Sequence, residues 1–299
     1  MGVGELLDAT FSLYRRNFVL IAAISAAVQV PFALLTYVIY EVFNYSALQS
    51  SLNGLSARLR SGEISPDQFQ SQVLDAVGGI FVAAGILLLV GLFIVLPLAE
   101  AATTRAVSDR YLDRETSVGV SYAAALRRLG ALVLQSLVLL GGTIVGVAVL
   151  VALIVGLSIA AGAAGAGLGI LLLLPAVAFA IFVYVRTSLA PPAIVLEGLS
   201  GIRGLARSWN LVRGLGWRML GIRLLLALIT VIIEGVVGVL ITLPGFGLDA
   251  NSRFLLQQIG SAVAAVFVSP ITYIGVTLLY YDARIRKEGF DIEMLARSL

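Results

Sequence analysis

The chain has 299 residues, 60% of them hydrophobic and only 12% charged, with a mean hydropathy of +1.02 and a formal net charge of +3. Soluble domains are about half apolar and about one quarter charged, so water is excluded as the main solvent of this fold. The absence of cysteine and histidine excludes disulfides, thiol catalysis and thiolate metal sites, and removes the usual neutral-pH general base.

A helix rises about 1.5 Å per residue, so about 20 apolar residues cross roughly 30 Å of hydrocarbon. Six such spans are read along the chain, at 18–40, 77–98, 129–160, 168–190, 219–243 and 259–281. The expected fold is an all-α membrane protein, a single integral membrane domain over 1–299. Before the first span, Leu7, Phe11, Tyr14 and Phe18 recur at helical spacing, opposed by Glu5, Asp8, Ser12 and Arg15. Glu5 and Asp8 stand where a signal peptide would be basic, and no small-residue cleavage site follows, so the first span is expected to be retained. The connection 41–76 carries a surface helix around 47–60, and Ser65-Pro66-Asp67 then reads as a capped helix start.

Beyond the second span, Val118, Tyr122, Ala125 and Leu129 form a weaker stripe beside Arg127 and Arg128. The Gly/Ala stretch 160–169 reads as the turn of the next hairpin. Before the fifth span, Ile202, Leu205, Trp209 and Val212 face away from Arg203, Arg207, Asn210 and Arg213. Each stripe is expected to be an amphipathic helix lying in the membrane interface, aromatic residues at headgroup depth and arginines toward anionic lipid. The competing reading is a helix packed beneath the bundle.

The segments FSLYRRNFVLIAA, AALRRLGALVLQS and NLVRGLGWRMLGI therefore open three similar units, each a basic amphipathic stretch leading into a pair of spans. Pro97, Pro175 and Pro270 interrupt the second span of each unit. Repeat units of about 1–114, 115–198 and 199–299 follow, three helical hairpins inserted in one orientation around a pseudo-threefold axis. Seventeen of the twenty basic residues fall at one side of the spans, Arg58, Arg60 and Arg253 being the exceptions. That asymmetry places both termini in the cytoplasm. It reports topology rather than nucleic-acid binding.

No phosphate loop, dinucleotide fingerprint, metalloprotease motif or nucleophile elbow is present, so no catalytic residue, metal ligand or cofactor is assigned. Two constellations remain. Arg15, Arg16, Arg127, Arg128, Arg203, Arg207, Trp209, Asn210 and Arg213 can hold lipid phosphates or a protein partner, or they can serve topology alone. Asp282, Arg284, Arg286, Lys287 and Glu288 are placed to pair with the 203–213 stretch. Glu234 is an intramembrane carboxylate, and such groups normally face the bundle or water. Gly142/Gly146 and Gly165/Gly169 allow close helix approach, within the bundle or between subunits.

The opening GELLDATFSLYRRNF, the segment RSWNLVRGLGWRMLGI and the ending PITYIGVTLLYYDARIRKEGFDIEML resemble the membrane-domain family of bacteria and archaea named for its occurrence beside glycerophosphoryl diester phosphodiesterases. The resemblance covers essentially the whole chain. It implies a six-span protein of the prokaryotic plasma membrane acting as a membrane module. The paired histidines and metal-binding carboxylates of the fused catalytic domain have no counterpart here, so phosphodiesterase activity does not carry over. The expected function is a non-enzymatic scaffold, anchor or accessory module, working with anionic membrane lipids or a membrane or cytoplasmic protein partner through its basic face. The alternative is a transporter, channel or lipid-translocating protein with a central cleft at Glu234.

Overall fold

The computed structural model describes residues 2–42, 45–245, 247–248 and 250–289, and among them the fold is helical with no strand. The helices are α1 (Val3–Arg16), α2 (Phe18–Val42), α3 (Tyr45–Arg60), α4 (Pro66–Val90), α5 (Leu96–Tyr111), α6 (Val118–Leu171), α7 (Leu173–Thr187), α8 (Ala190–Glu197), α9 (Gly201–Val212), α10 (Gly216–Thr242), α11 (Ala250–Phe267) and α12 (Ser269–Glu288). Among the described residues, six continuous helical stretches are long and apolar enough to cross a membrane.

Local chemistry sets the ends and kinks. Ser65 caps α4 by accepting from the Gln68 amide at 3.2 Å, Gln68 returns the bond to the Ser65 amide at 3.0 Å, and Pro66 takes the first helical position. Between α4 and α5 the helix widens into a π turn over Gly91–Val95, just before Pro97. Proline has no amide to donate and its ring crowds the carbonyl four residues back, so the ladder there opens by one residue. The chain still runs on as one helix past Leu98, which carries Glu100 into the fold.

Within α6 the helical geometry breaks at Ala161 and Gly162, where glycine supplies a φ of 57°. The chain folds back there, and Gly165 and Gly169 lie against Leu157 and Ile154 of the outgoing helix of the hairpin. A Cβ at Gly165 would overlap the Leu157 carbonyl, whereas one at Gly142 or Gly146 meets nothing within 4 Å. The second small-residue pair therefore closes this hairpin, and among the described residues nothing lies against the first. Gly165→Leu is expected to lower the thermal midpoint of the detergent-solubilised protein by a few degrees, with Gly142→Leu unchanged in the same circular-dichroism melt.

The three amphipathic stretches are not equivalent. The first and third are separate helices, α1 and α9. The second is simply the beginning of α6, which Ser117 caps and which continues unbroken because no proline occurs before the hairpin turn. Its stripe faces protein: Ala125 is buried, and Val118, Tyr122 and Leu129 pack on a core with Ile24, Leu98 and Ile194. The α1 stripe is likewise drawn inward, Leu7, Phe11 and Tyr14 packing beside buried Leu6. In α9 the face against the protein is Gly201, Gly204, Ser208, Leu211 and Val212, leaving Ile202 and Trp209 exposed.

α12 is the hub. In the most apolar part of the last membrane-length stretch 61% of the residues are buried, against 22% or less in the other five, and α12 packs against α1, α5, α10 and α11. Its core partners include Leu189, Leu211, Met219, Ile222 and Leu226. Among the described residues, the middle of the bundle at this arginine-rich end is thus occupied by α12. At the other end α4, α6 and α7 present Phe81, Ile159 and Leu174 to the surroundings, the faces expected to meet lipid.

Candidate functional site

Much of the positive charge of the arginine-rich end is spent inside the fold. Arg207 of α9 bonds Glu197 of α8 at 2.9 Å and grips Glu288 of α12 with both terminal nitrogens. Its hydrogen bonds to Glu288 and then to Glu197 hold the guanidinium above the usual arginine value, against the opposing effect of burial. The Tyr280 hydroxyl also donates to Glu197, and Arg284 bonds Glu288 at 3.1 Å. Beside this knot Asp282, only 1% exposed, takes Arg218 of α10 at 3.2 Å and Arg286 at 3.0 Å. Asp109, equally enclosed, pairs with Arg105 at 2.9 Å. Ser108 shares a 2.7 Å hydrogen bond with Tyr281.

Other arginines satisfy backbone carbonyls left open at helix ends. Arg128 donates to the Gly198 carbonyl at 2.9 Å and Arg186 to that of Trp209 at 3.1 Å. Arg223 bonds the Ser188 carbonyl at 3.1 Å and the Tyr184 hydroxyl at 2.8 Å. The Trp209 ring is fixed edge-on to Phe182 and lies beneath the Arg186 guanidinium, 5.3 Å away.

The sequence-derived set therefore divides. Arg128 and Arg207 clamp helices together, and Trp209 is a packed but partly exposed ring. Arg15, Arg16, Arg127, Arg203, Asn210 and Arg213 are exposed, and their side chains make no hydrogen bond or ion pair among the described residues. Glu197, Asp109, Arg186 and Arg223 were not singled out from sequence. Glu197 follows PPAIVL and reads as a helix end, and only the folded chain brings it to Arg207.

The second constellation lies toward the other end. A cavity of about 790 Å³ sits between α10 and α11 with Ser269 of α12 beside it. Glu234, Gly238 and Thr242 line it at four-residue spacing on α10, faced by Arg253, Gln257, Ser261 and Ala265 on α11. Small residues on both faces, among them Gly235, Gly260 and Ala264, leave the space open. The helices run antiparallel, so Glu234, level with Ala265, lies deep and Arg253 is near the mouth, about 18 Å away along the axis. Arg253 donates to the Leu248 carbonyl at 3.2 Å, and Glu234 has no hydrogen bond or ion pair among the described residues. Tyr273 lies within electrostatic reach of both Glu234 and Glu100, and Glu100 within reach of Arg223. Sequence reading ended the second span at 98 and so missed Glu100, which the π turn keeps inside the helix.

Residues 1–282 match the family described as a domain of unknown function, DUF7847, and the chain belongs to that family. No curated protein and no solved structure matches it.

Proposed function

We propose that this family member is a non-enzymatic, multi-pass protein of the prokaryotic plasma membrane, a scaffold or accessory module whose basic, cytoplasmic face engages anionic lipid headgroups. The observation that carries this reading is the division of the arginines. Those that brace the fold are already paired, while Arg15, Arg16, Arg127, Arg203 and Arg213 stand exposed on it without partners among the described residues. Free guanidiniums on a braced surface bind phosphate with little further ordering. Ile202 and Trp209, apolar and exposed on the same helix, suit headgroup depth. The resemblance to a membrane module found beside lipid-related enzymes points the same way, and both termini inside agrees with the arginine bias.

The test is lipid retention. The full chain, purified in mild detergent from a membrane extract and analysed by native mass spectrometry, is expected to keep phosphatidylglycerol and cardiolipin over phosphatidylethanolamine. Each arginine near an anionic surface is worth about 1 kcal/mol. Replacing Arg15, Arg16, Arg127, Arg203 and Arg213 together by glutamine should therefore abolish the preference while leaving the melting curve in place. An unchanged lipid profile would overturn the proposal. The alternative of a transporter has the cavity at Glu234 in its favour, although Leu226, Ile271 and Ile274 are buried between it and the arginine-rich end.

A further inference from the structure

The cavity between α10 and α11 contains a charge that the fold does not use. Glu234 stands about 12 Å inside the end of α10 by helix rise, in a span whose neighbours Val231, Ile232 and Val236 face outward. A carboxylate at such depth costs several kcal/mol unless a proton or a cation neutralises it. Among the described residues no cation pairs with it: Arg253 lines the same cavity but is turned to the Leu248 carbonyl, and no ion pair joins the two. The other lining groups, Thr242, Gln257, Ser261 and Ser269, are neutral and can only share hydrogen bonds.

We infer that this cavity is a binding site for an ammonium group carried on an apolar stem, with Glu234 as its counter-ion. The ligand class follows from the lining. A divalent metal ion needs several oxygen ligands including more than one carboxylate in most sites, and Glu234 is the only carboxylate among the lining residues. A small inorganic cation approaching from water would pass Arg253, whose charge opposes it. An amphiphile avoids that barrier, because Gly235 and Val239 are both lining and exposed, so the cavity opens sideways toward lipid. Val239, Ala264 and Ala265 offer the stem an apolar wall. The volume of about 790 Å³ lies in the range of sites that enclose small ligands. The site is separate from the arginine-rich face and does not rest on the function proposed for it.

The probe is a dansyl-labelled alkylammonium added to the full chain in nonionic detergent, its binding read by fluorescence anisotropy against the matching neutral alkylamide. Charge-assisted hydrogen bonds are the strong ones, so Glu234→Gln should weaken ammonium binding about tenfold or more, Glu234→Asp less, and neither should alter amide binding. Displacement by phosphatidylethanolamine identifies a lipid source, and displacement by a short-chain alkylamine alone a soluble one. On the wild-type protein, a hydrophobic carbodiimide should label Glu234, with the ammonium probe protecting it in a peptide map. That arm stands even if the Gln variant fails to fold. Equal binding of ammonium and amide, equal affinity of wild type and Glu234→Gln, or labelling that the probe does not slow would each overturn the inference.

Discussion

Asp282→Ala is expected to cost about 3–5 kcal/mol, the characteristic penalty for stripping one partner from a buried ion pair. Asp282 is 1% exposed and is shared by Arg218 from α10 and Arg286 from its own helix. Removing the carboxylate takes from the Arg218 guanidinium, whose side chain is 23% exposed, the α12 acceptor it bonds. The same reasoning orders the neighbouring variants. Asp282→Asn keeps an acceptor and should lose less. Arg286→Gln removes a 41%-exposed side chain and should lose under about 1 kcal/mol, as solvent-screened pairs do. Both tryptophans, Trp209 and Trp217, belong to the helices of this end, so unfolding in detergent is followed directly by their fluorescence. A double-mutant cycle of Asp282→Ala with Arg218→Met isolates the pair. If Asp282→Ala and Arg286→Gln melt together, Asp282 is not the node that joins α12 to α10.

The parts of this fold legible in the sequence are those fixed by solvent and by local backbone chemistry. Apolar runs of membrane length announced six spans. The serine cap at Ser65 and the reversal after residue 160 were readable because capping and glycine turns need only near neighbours. The second amphipathic stretch was misread as a separate helix because a stripe looks the same whether it meets lipid or protein, and nothing local ends it before α6 continues. Arginine roles were less legible still. The positional bias of arginines follows from sequence, but whether Arg207 meets a lipid phosphate or Glu197 and Glu288 depends on which helices α9 touches. Of the last span's carboxylates, Glu288 meets the 203–213 stretch as expected, at Arg207, whereas Asp282 pairs with Arg218 and Arg286 outside it. Glu100 escaped because hydropathy marks where a span becomes polar, not where the helix stops.

Gly201→Val is the second substitution expected to have a large effect, and it tests how α9 is seated. Its apolar stripe, Ile202, Leu205, Trp209 and Val212, was expected to lie in the membrane interface, with packing beneath the bundle as the competing reading. The protein is met by Gly201, Gly204, Ser208 and Leu211, together with Val212 from the stripe. The reason is distance: a Cβ on Gly201 would lie 2.5 Å from the Ala131 carbonyl oxygen and 2.8 Å from the Gln135 amide nitrogen of α6. Both are backbone atoms, so no rotamer change relieves the overlap, and α9 must lift away from α6. Overpacking of this kind typically costs about 1–3 kcal/mol. Lifting α9 also strains contacts further along it. The Ser208 hydroxyl donates to the Arg186 carbonyl at 2.7 Å and accepts from the Leu189 amide at 3.0 Å, and Arg207 reaches Glu197 and Glu288. Gly201→Val should therefore lower the melting midpoint and, in the still-folded population, raise amide hydrogen exchange across α8 and α9. Ile202→Ala removes an exposed apolar side chain from the adjacent position and should leave both readings near wild type. Were Ile202→Ala the more damaging of the two, the apolar stripe would be the packing face, and Trp209 and the free arginines would point away from the surface that now presents them.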